Sequence, residues 1–164
     1  KNFMKEKEIR NDIIESVTLN YNIDNVLKIY KKTFTLNKLI SKEIGKDLIF
    51  SYKRASNIIS NELKNNKIEL TGAADVGLFK NEFEKILYKK IHEIRKELTN
   101  IGKDDDHEVI LKTLSSARKE LNEFFENVVV NDEDELIKKN RLELLLMLCK
   151  TFDNYLNFSK VESF

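Results

Sequence analysis

Lys53, Arg54 and Asn57 are the residues whose types and spacing best fit a binding chemistry. Positions 53 and 57 are i,i+4 neighbours and 54 and 57 are i,i+3, so on a helix all three share one face. Two cations and an amide on one face suit the phosphates and base edges of splayed single-stranded RNA. The plainer reading is a solvated polar face with one intrahelical pair, and on the residues alone it is the stronger of the two. Lys138, Lys139, Asn140 and Arg141 form a second basic cluster. At helical spacing these four span most of the circumference, so at least one faces inward. Asn140 and Arg141 are therefore candidates both for RNA contact and for a structural role. A buried Arg141 must pair with an acid, because an unpaired buried charge is costly. The acidic stretch Asp132–Glu135 is the nearest partner.

Other polar groups read as structural. Asn127, at the end of a helix, suits bracing of a turn through backbone hydrogen bonds, with a base contact the lesser reading. Lys112, Arg118 and Lys119 add positive charge that is most simply solvated. The run Asp104-Asp105-Asp106-His107-Glu108 resembles a metal site in composition but not in spacing. Consecutive loop residues do not converge as i,i+4 ligands do, and the other histidine, His92, lies in the preceding helix; the run reads as a helix N-cap. Two histidines do not assemble a Ser-His-Asp or Cys-His set, and no Gly-rich phosphate loop occurs. Of Phe124 and Phe125 at least one must be core; Phe125 is assigned there and Phe124 left open. Tyr52, Tyr88 and Tyr155 read as packing residues with a hydroxyl at the surface.

The elements that must position these groups are helices. The chain has 164 residues, 41% hydrophobic and 35% charged, with no Pro and four Gly, a balance that favours long helices over short strands. One domain over residues 1–164 is expected. The first residue is Lys1 rather than Met, which suggests a piece of a longer chain. The single cysteine, Cys149, lies in an apolar run and reads as a buried, reduced thiol. No apolar stretch is long enough for a membrane span. The net charge of +1 requires any nucleic-acid contact to use a local patch.

Apolar spacing predicts helices over about 3–19, with Ile9, Ile13, Ile14 and Val17 inward, and 24–34, capped by Asp24. A short segment holding Leu36, Leu39, Ile40 and Ile44 should end at Gly45. Asp47 should open a long helix to Leu63, with Leu48, Tyr52, Ala55, Ile59 and Leu63 buried. Residues 65–77 read as a loop, followed by a helix over 78–101 that Gly102 ends. One helix should run from 104–106 to 127, with Ile110, Leu114, Ala117, Leu121 and Phe125 inward. The last helix, capped by residues 131–135, carries Leu136, Ile137, Leu144, Leu145, Leu148, Phe152 and Leu156. The fold class is all-α, a bundle of five to seven helices.

Two stretches, FFENVVVNDEDELIKKNRL at 124–142 and YKRASNI at 52–58, resemble the C-terminal part of the β subunit of bacterial glycyl-tRNA synthetases. Weaker echoes come from IRNDIIESV at 9–17, EKILY at 84–88 and the terminal Phe158–Ser159 pair. The matches fall in the family's order and span nearly the whole chain. Val129 stands where the family often has Met, and the Pro often found before the Glu-Lys-x-Leu-Tyr segment is absent. Both changes are conservative for packing.

The resemblance implies a DALR-like anticodon-binding domain that recognises glycine tRNA, with Lys53, Arg54, Asn57, Asn140 and Arg141 as candidate tRNA contacts. It implies a cytoplasmic ligase in which the α subunit carries the active site and uses ATP and Mg, within an α2β2 assembly. This piece itself would hold no cofactor, no metal and no catalytic residue. The alternative is a helical scaffold that holds the α subunit or another part of β. Its docking surface would be the 65–77 loop, with Ile68, Leu70, Ala73, Ala74 and Val76.

Overall fold

The computed structural model describes residues 9–18, 26–65, 68–101, 107–155 and 158. Among them the fold is all-α: α1 (Asn11–Thr18), α2 (Val26–Ile40), α3 (Glu43–Asn65), a 3-10 turn (Val76–Leu78), α4 (Glu82–Ile101), α5 (His107–Ser115), α6 (Arg118–Asn127) and α7 (Glu135–Asp153). The all-α bundle expected from the sequence is the fold observed. The caps assigned to Asp24 and to residues 104–106, the stop at Gly102, the helix before residue 9 and the inward Leu156 lie outside the described residues.

α7 sits at the centre, packed against both α3 and α4. Almost its whole circumference is buried, including Lys138, Asn140, Arg141 and Glu143. Asp134 caps its N-terminus by accepting from the Leu136 and Ile137 amides. α3 lays Leu48, Ile49, Tyr52, Ala55 and Ile59 into the core, the expected three-four stripe. Leu63, expected to complete that stripe, is exposed because the last turn of α3 emerges into solvent. Tyr52 stacks on Phe152 and Phe158, with ring centroids 5.9 and 5.5 Å apart. Its hydroxyl lies inside rather than at the surface, and donates to Asp153 Oδ1 over 2.7 Å. Cys149 is buried and unpaired, and burial raises its thiol pKa, which keeps it an inert core group.

Several helix boundaries differ from the sequence expectation, each for a local reason. α2 runs unbroken through Phe34 and Leu36, and the Thr33 and Thr35 hydroxyls bond back to the Ile29 and Lys31 carbonyls without interrupting it. The reversal comes at Ser41–Lys42, and Gly45 lies inside the first turn of α3, its amide donating to Lys42. The helix expected to run to residue 127 divides at Ser116–Ala117. There the amides of Ser116 and Ala117 reach back three residues, to Thr113 and Leu114, and the Ser116 hydroxyl also bonds Thr113. This tightens the chain into a 3-10-type turn. Phe124 continues the stripe of Ala117 and Leu121 and lies wholly in the core, while Phe125, the one assigned there from the sequence, is half-buried.

α4 starts at Glu82 rather than at Leu78, and its start shows how α7 is held. Asn81 caps it by accepting from the Phe83 amide, while Glu84 Oε2 accepts from the amides of Lys80 and Asn81. This is a capping box with Asn in the first position. The other oxygen of Glu84, which is fully buried, accepts from Arg141 Nε at 2.9 Å. Arg141 Nη1 also donates to the Val129 carbonyl at 2.7 Å and to Asp132 at 2.5 Å. Arg141 therefore ties the start of α4 and the loop before α7 to α7 itself.

Removing one partner of a buried ion pair strands the other charge, at a cost of about 3–5 kcal/mol. Glu84→Ala is expected to lower the unfolding free energy by about that amount in urea titrations, since it also takes the acceptor from the Lys80 and Asn81 amides, and Arg141→Met should cost much less in the Glu84→Ala background than on its own. Equal losses from Arg141→Met in the two backgrounds would mean that the pair is not what the site depends on. Burial raises the Tyr52 phenol pKa. The native state thus keeps a proton that the unfolded chain releases near the ordinary tyrosine value of about 10. This group's contribution is complete below that pH and falls as pH rises past it. Tyr52→Phe should flatten the alkaline loss of stability followed by circular dichroism between about pH 8 and 11.

Candidate nucleic-acid interface

The buried side of α3 fixes which residues face out. With Tyr52, Ala55 and Ile59 packed inside, Arg54 and Asn57 are exposed and Lys53 is half-exposed on the opposite face. The structure thus brings Lys53, Arg54 and Asn57 together as the spacing required. Arg54 is placed more narrowly: its guanidinium carbon lies 4.2 Å from the centroid of the Phe125 ring of α6. At an exposed site such a contact contributes about 0.5–1 kcal/mol. It orients the planar cation while leaving its donors available. Among the described residues none of the three forms a salt bridge or a side-chain hydrogen bond.

Asn140 and Arg141 stand elsewhere, inside the protein, in the structural role weighed for them from the sequence. Asn140 accepts from the Asp75 amide at 2.7 Å and donates to the Asp75 carbonyl at 2.9 Å, which pairs its whole amide with one backbone unit. Arg141 is held by Glu84, Val129 and Asp132, the last being the acidic stretch anticipated as its partner. The Asp134 amide and Arg141 together hold the Asp132 carboxyl below its ordinary pKa. Lys138 is likewise buried, 3.0 Å from Glu62 of α3. Of that cluster only Lys139 is exposed.

The 68–78 segment is strapped along α7. The Glu143 carboxylate accepts from the amides of Thr71, Gly72 and Ala73, a backbone nest closed around an anion. Gly72 adopts φ 80°, a left-handed conformation that admits glycine at low cost. Lys150 Nζ donates to the Thr71 carbonyl at 2.7 Å. Leu70 and Ala74 pack on the core, leaving Ala73 and Val76 as the exposed apolar residues of the proposed docking loop. Asn127 braces its turn as expected: its amide donates to the Glu123 carbonyl, and its own carbonyl accepts from Asn81. Among the described residues no group of His, Cys, Asp and Glu is arranged to hold a metal ion, and no helix is long and apolar enough to cross a membrane.

Residues 48–163 match the DALR anticodon binding domain. The chain belongs to this family. Glycine–tRNA ligase beta subunits resemble it over most of its length. The one from Rickettsia typhi is 38% identical over 130 residues, covering 79% of this chain and 19% of the relative. That of Rickettsia prowazekii is 37% identical over the same length and coverage. The Rickettsia canadensis protein is 34% identical over 146 residues, covering 89% of this chain and 21% of the relative. The chain thus spans about a fifth of the length of the curated relatives it matches.

In this DALR domain the segments that carried the resemblance meet in space. Glu84 of EKILY, and Asp132, Val129 and Arg141 of the 124–142 stretch, form a single buried cluster. Arg54 of YKRASNI rests on Phe125 of the same stretch. Sequence reasoning missed Glu84 and Glu143 as organisers, although Asn81 three residues before Glu84 spells a capping signal. Nothing local marked Glu143, whose partners are backbone amides some 70 residues away.

The division between brace and surface predicts a division in stability. Arg54→Ala and Asn57→Ala should each change the unfolding free energy by less than about 1 kcal/mol. Asn140→Ala should cost about 1–3 kcal/mol, because it strands the Asp75 amide and removes one of the two donors to the Asp75 carbonyl. Denaturant midpoints of the three variants test this, and a large loss at Arg54 would assign it to the scaffold.

Proposed function

We propose that this DALR domain recognises the anticodon of glycine tRNA as part of the β subunit of a glycine–tRNA ligase. The observation that carries the reading is the outward face of α3. Lys53 and Arg54 offer charge to phosphates, Asn57 offers an amide to a base edge, and Arg54 is oriented as a plane by Phe125. Single-stranded loops are recognised by this combination of cation, amide and flat surface. The beta-subunit names of the relatives supply the amino acid and the enzyme. Asn140 and Arg141 serve this reading indirectly, by fixing the loops packed against α7.

In the same proposal the domain is non-catalytic. The α subunit of an α2β2 assembly carries the active site and uses ATP and Mg to attach glycine, in the cytoplasm. A chain of net charge +1 has to bind through a patch, and on this face Lys53 and Arg54 are adjacent and form no salt bridge among the described residues.

The test is binding of the chain to a glycine anticodon stem-loop at low and moderate salt, beside a stem-loop with both anticodon cytosines replaced. Affinity should fall with salt, since each neutralised phosphate of a single strand contributes a slope of about −0.7 in log K against log salt. Arg54→Ala should weaken binding and make that slope shallower by roughly one such unit. Binding that ignores both the cytosines and Arg54 would refute anticodon reading through α3.

A further inference from the structure

We propose that Phe50 and Arg54 form an open clamp for one unpaired RNA base, the Phe50 ring and the Arg54 guanidinium being its two walls. The inference rests on the anticodon reading above and assigns a subsite within it. Phe50 is 67% exposed, although it belongs to a helix whose opposite face is fully packed. Among the described residues the other exposed phenylalanine, Phe34, stacks against Tyr30 with ring centroids 6.2 Å apart. Phe50 has no such ring partner among the described residues. A large ring held in water on an ordered helix leaves apolar area uncovered, and a flat ligand would cover it.

The spacing suits a base. Positions 50 and 54 are i,i+4 neighbours on one face, and four residues rise roughly 6 Å along an α-helix. A base between two flat surfaces needs roughly 7 Å, twice the 3.4 Å stacking distance of nucleic acids. Small side-chain adjustments bridge the difference. Arg54 is already held as a plane by the Phe125 ring, 4.2 Å from its guanidinium carbon, so one wall is preorganised. Asn57 lies three residues beyond Arg54, on the far side of that wall, where its amide can meet the neighbouring nucleotide, and Lys53 stands beside Arg54 for the adjoining phosphate.

These neighbours also decide between occupants. An apolar protein surface covering Phe50 would take Arg54, Lys53 and Asn57 out of water with nothing to pair them, which is costly. A nucleotide supplies a π-face for the ring and the guanidinium, an anion for the cations and polar edges for the amide.

The chain contains no tryptophan, so Phe50→Trp creates a single fluorescent reporter at the clamp. On adding the glycine anticodon stem-loop, its emission should be quenched by the stacked base. A fully paired RNA of the same composition should leave it unchanged. The Trp variant should bind within about threefold of the parent. Phe50→Ala should weaken binding by roughly 5- to 150-fold, the range of one lost base–aromatic stack. Binding of the stem-loop without quenching, and with Phe50→Ala matching the parent, overturns the clamp and leaves the anticodon reading intact. Failure of the parent chain to bind overturns that reading and the clamp with it. An unchanged RNA affinity for Phe50→Ala, with loss of association with the ligase α subunit, overturns the clamp in favour of a protein contact.

Discussion

A helix that is buried on nearly all sides and yet carries Lys138, Asn140, Arg141 and Glu143 imposes a condition on everything around it. Each of those groups loses its water on folding and has to find a partner of the right kind in the right place. α7 meets the condition with partners from along the chain: Glu62 at the end of α3, the amides of residues 71–73 and both polar groups of Asp75, Glu84 at the start of α4, and Val129 and Asp132 in the loop just before α7 itself. Apolar packing alone tolerates small slips between helices. A guanidinium shared among a buried carboxylate, a carbonyl and a loop carboxylate does not, because one misplaced partner leaves a charge stranded. The polar groups of α7 therefore set the register of the bundle, while Leu144, Leu145, Leu148 and Phe152 supply its apolar contact.

That register positions the candidate interface without touching it. α3 packs along α7 through Tyr52, Ala55 and Ile59, and Lys138 reaches Glu62 near its end. Once this side is fixed, the opposite face is fixed too, since 3.6 residues per turn leave Lys53, Arg54 and Asn57 nowhere else to point. α6 then contributes Phe125 as a backing for Arg54. Leu121, Phe124 and Val128 bury the inner side of α6, which leaves the half-buried Phe125 ring at its edge for Arg54 to lie on.

What was legible in the sequence was what repeats. The three-four apolar stripes of α3, α4 and α7 revealed the helices, their inward faces and, by subtraction, the outward face of α3. What was not legible depended on partners far along the chain or on side chains bonding to their own backbone. The Ser116 turn, the unbroken helix through Thr33 and Thr35, and the nest around Glu143 leave no mark in an apolar pattern. The case of Asn140 and Arg141 is the most instructive. By type they fit RNA as well as Lys53, Arg54 and Asn57 do, and only burial separates the two sets. The acid needed by a buried Arg141 could be named from the neighbouring Asp132, but Glu84, 57 residues earlier, could not.

The same separation resolves the apparent conflict between a nearly neutral chain and an RNA partner. Cations committed to carboxylates, such as Arg141, Lys138 and Arg118 with Asp47, add to the count of basic residues but little to the outer field. The acids they engage are cancelled equally. What a polyanion meets is the local arrangement of charges left over, and on α3 these are adjacent cations beside an exposed ring. Net charge measures long-range attraction, whereas a splayed loop held by one oriented plane and a few donors depends on short-range fit. A domain built this way would gain little from being strongly basic and would lose discrimination if it were, because diffuse positive charge holds any RNA alike.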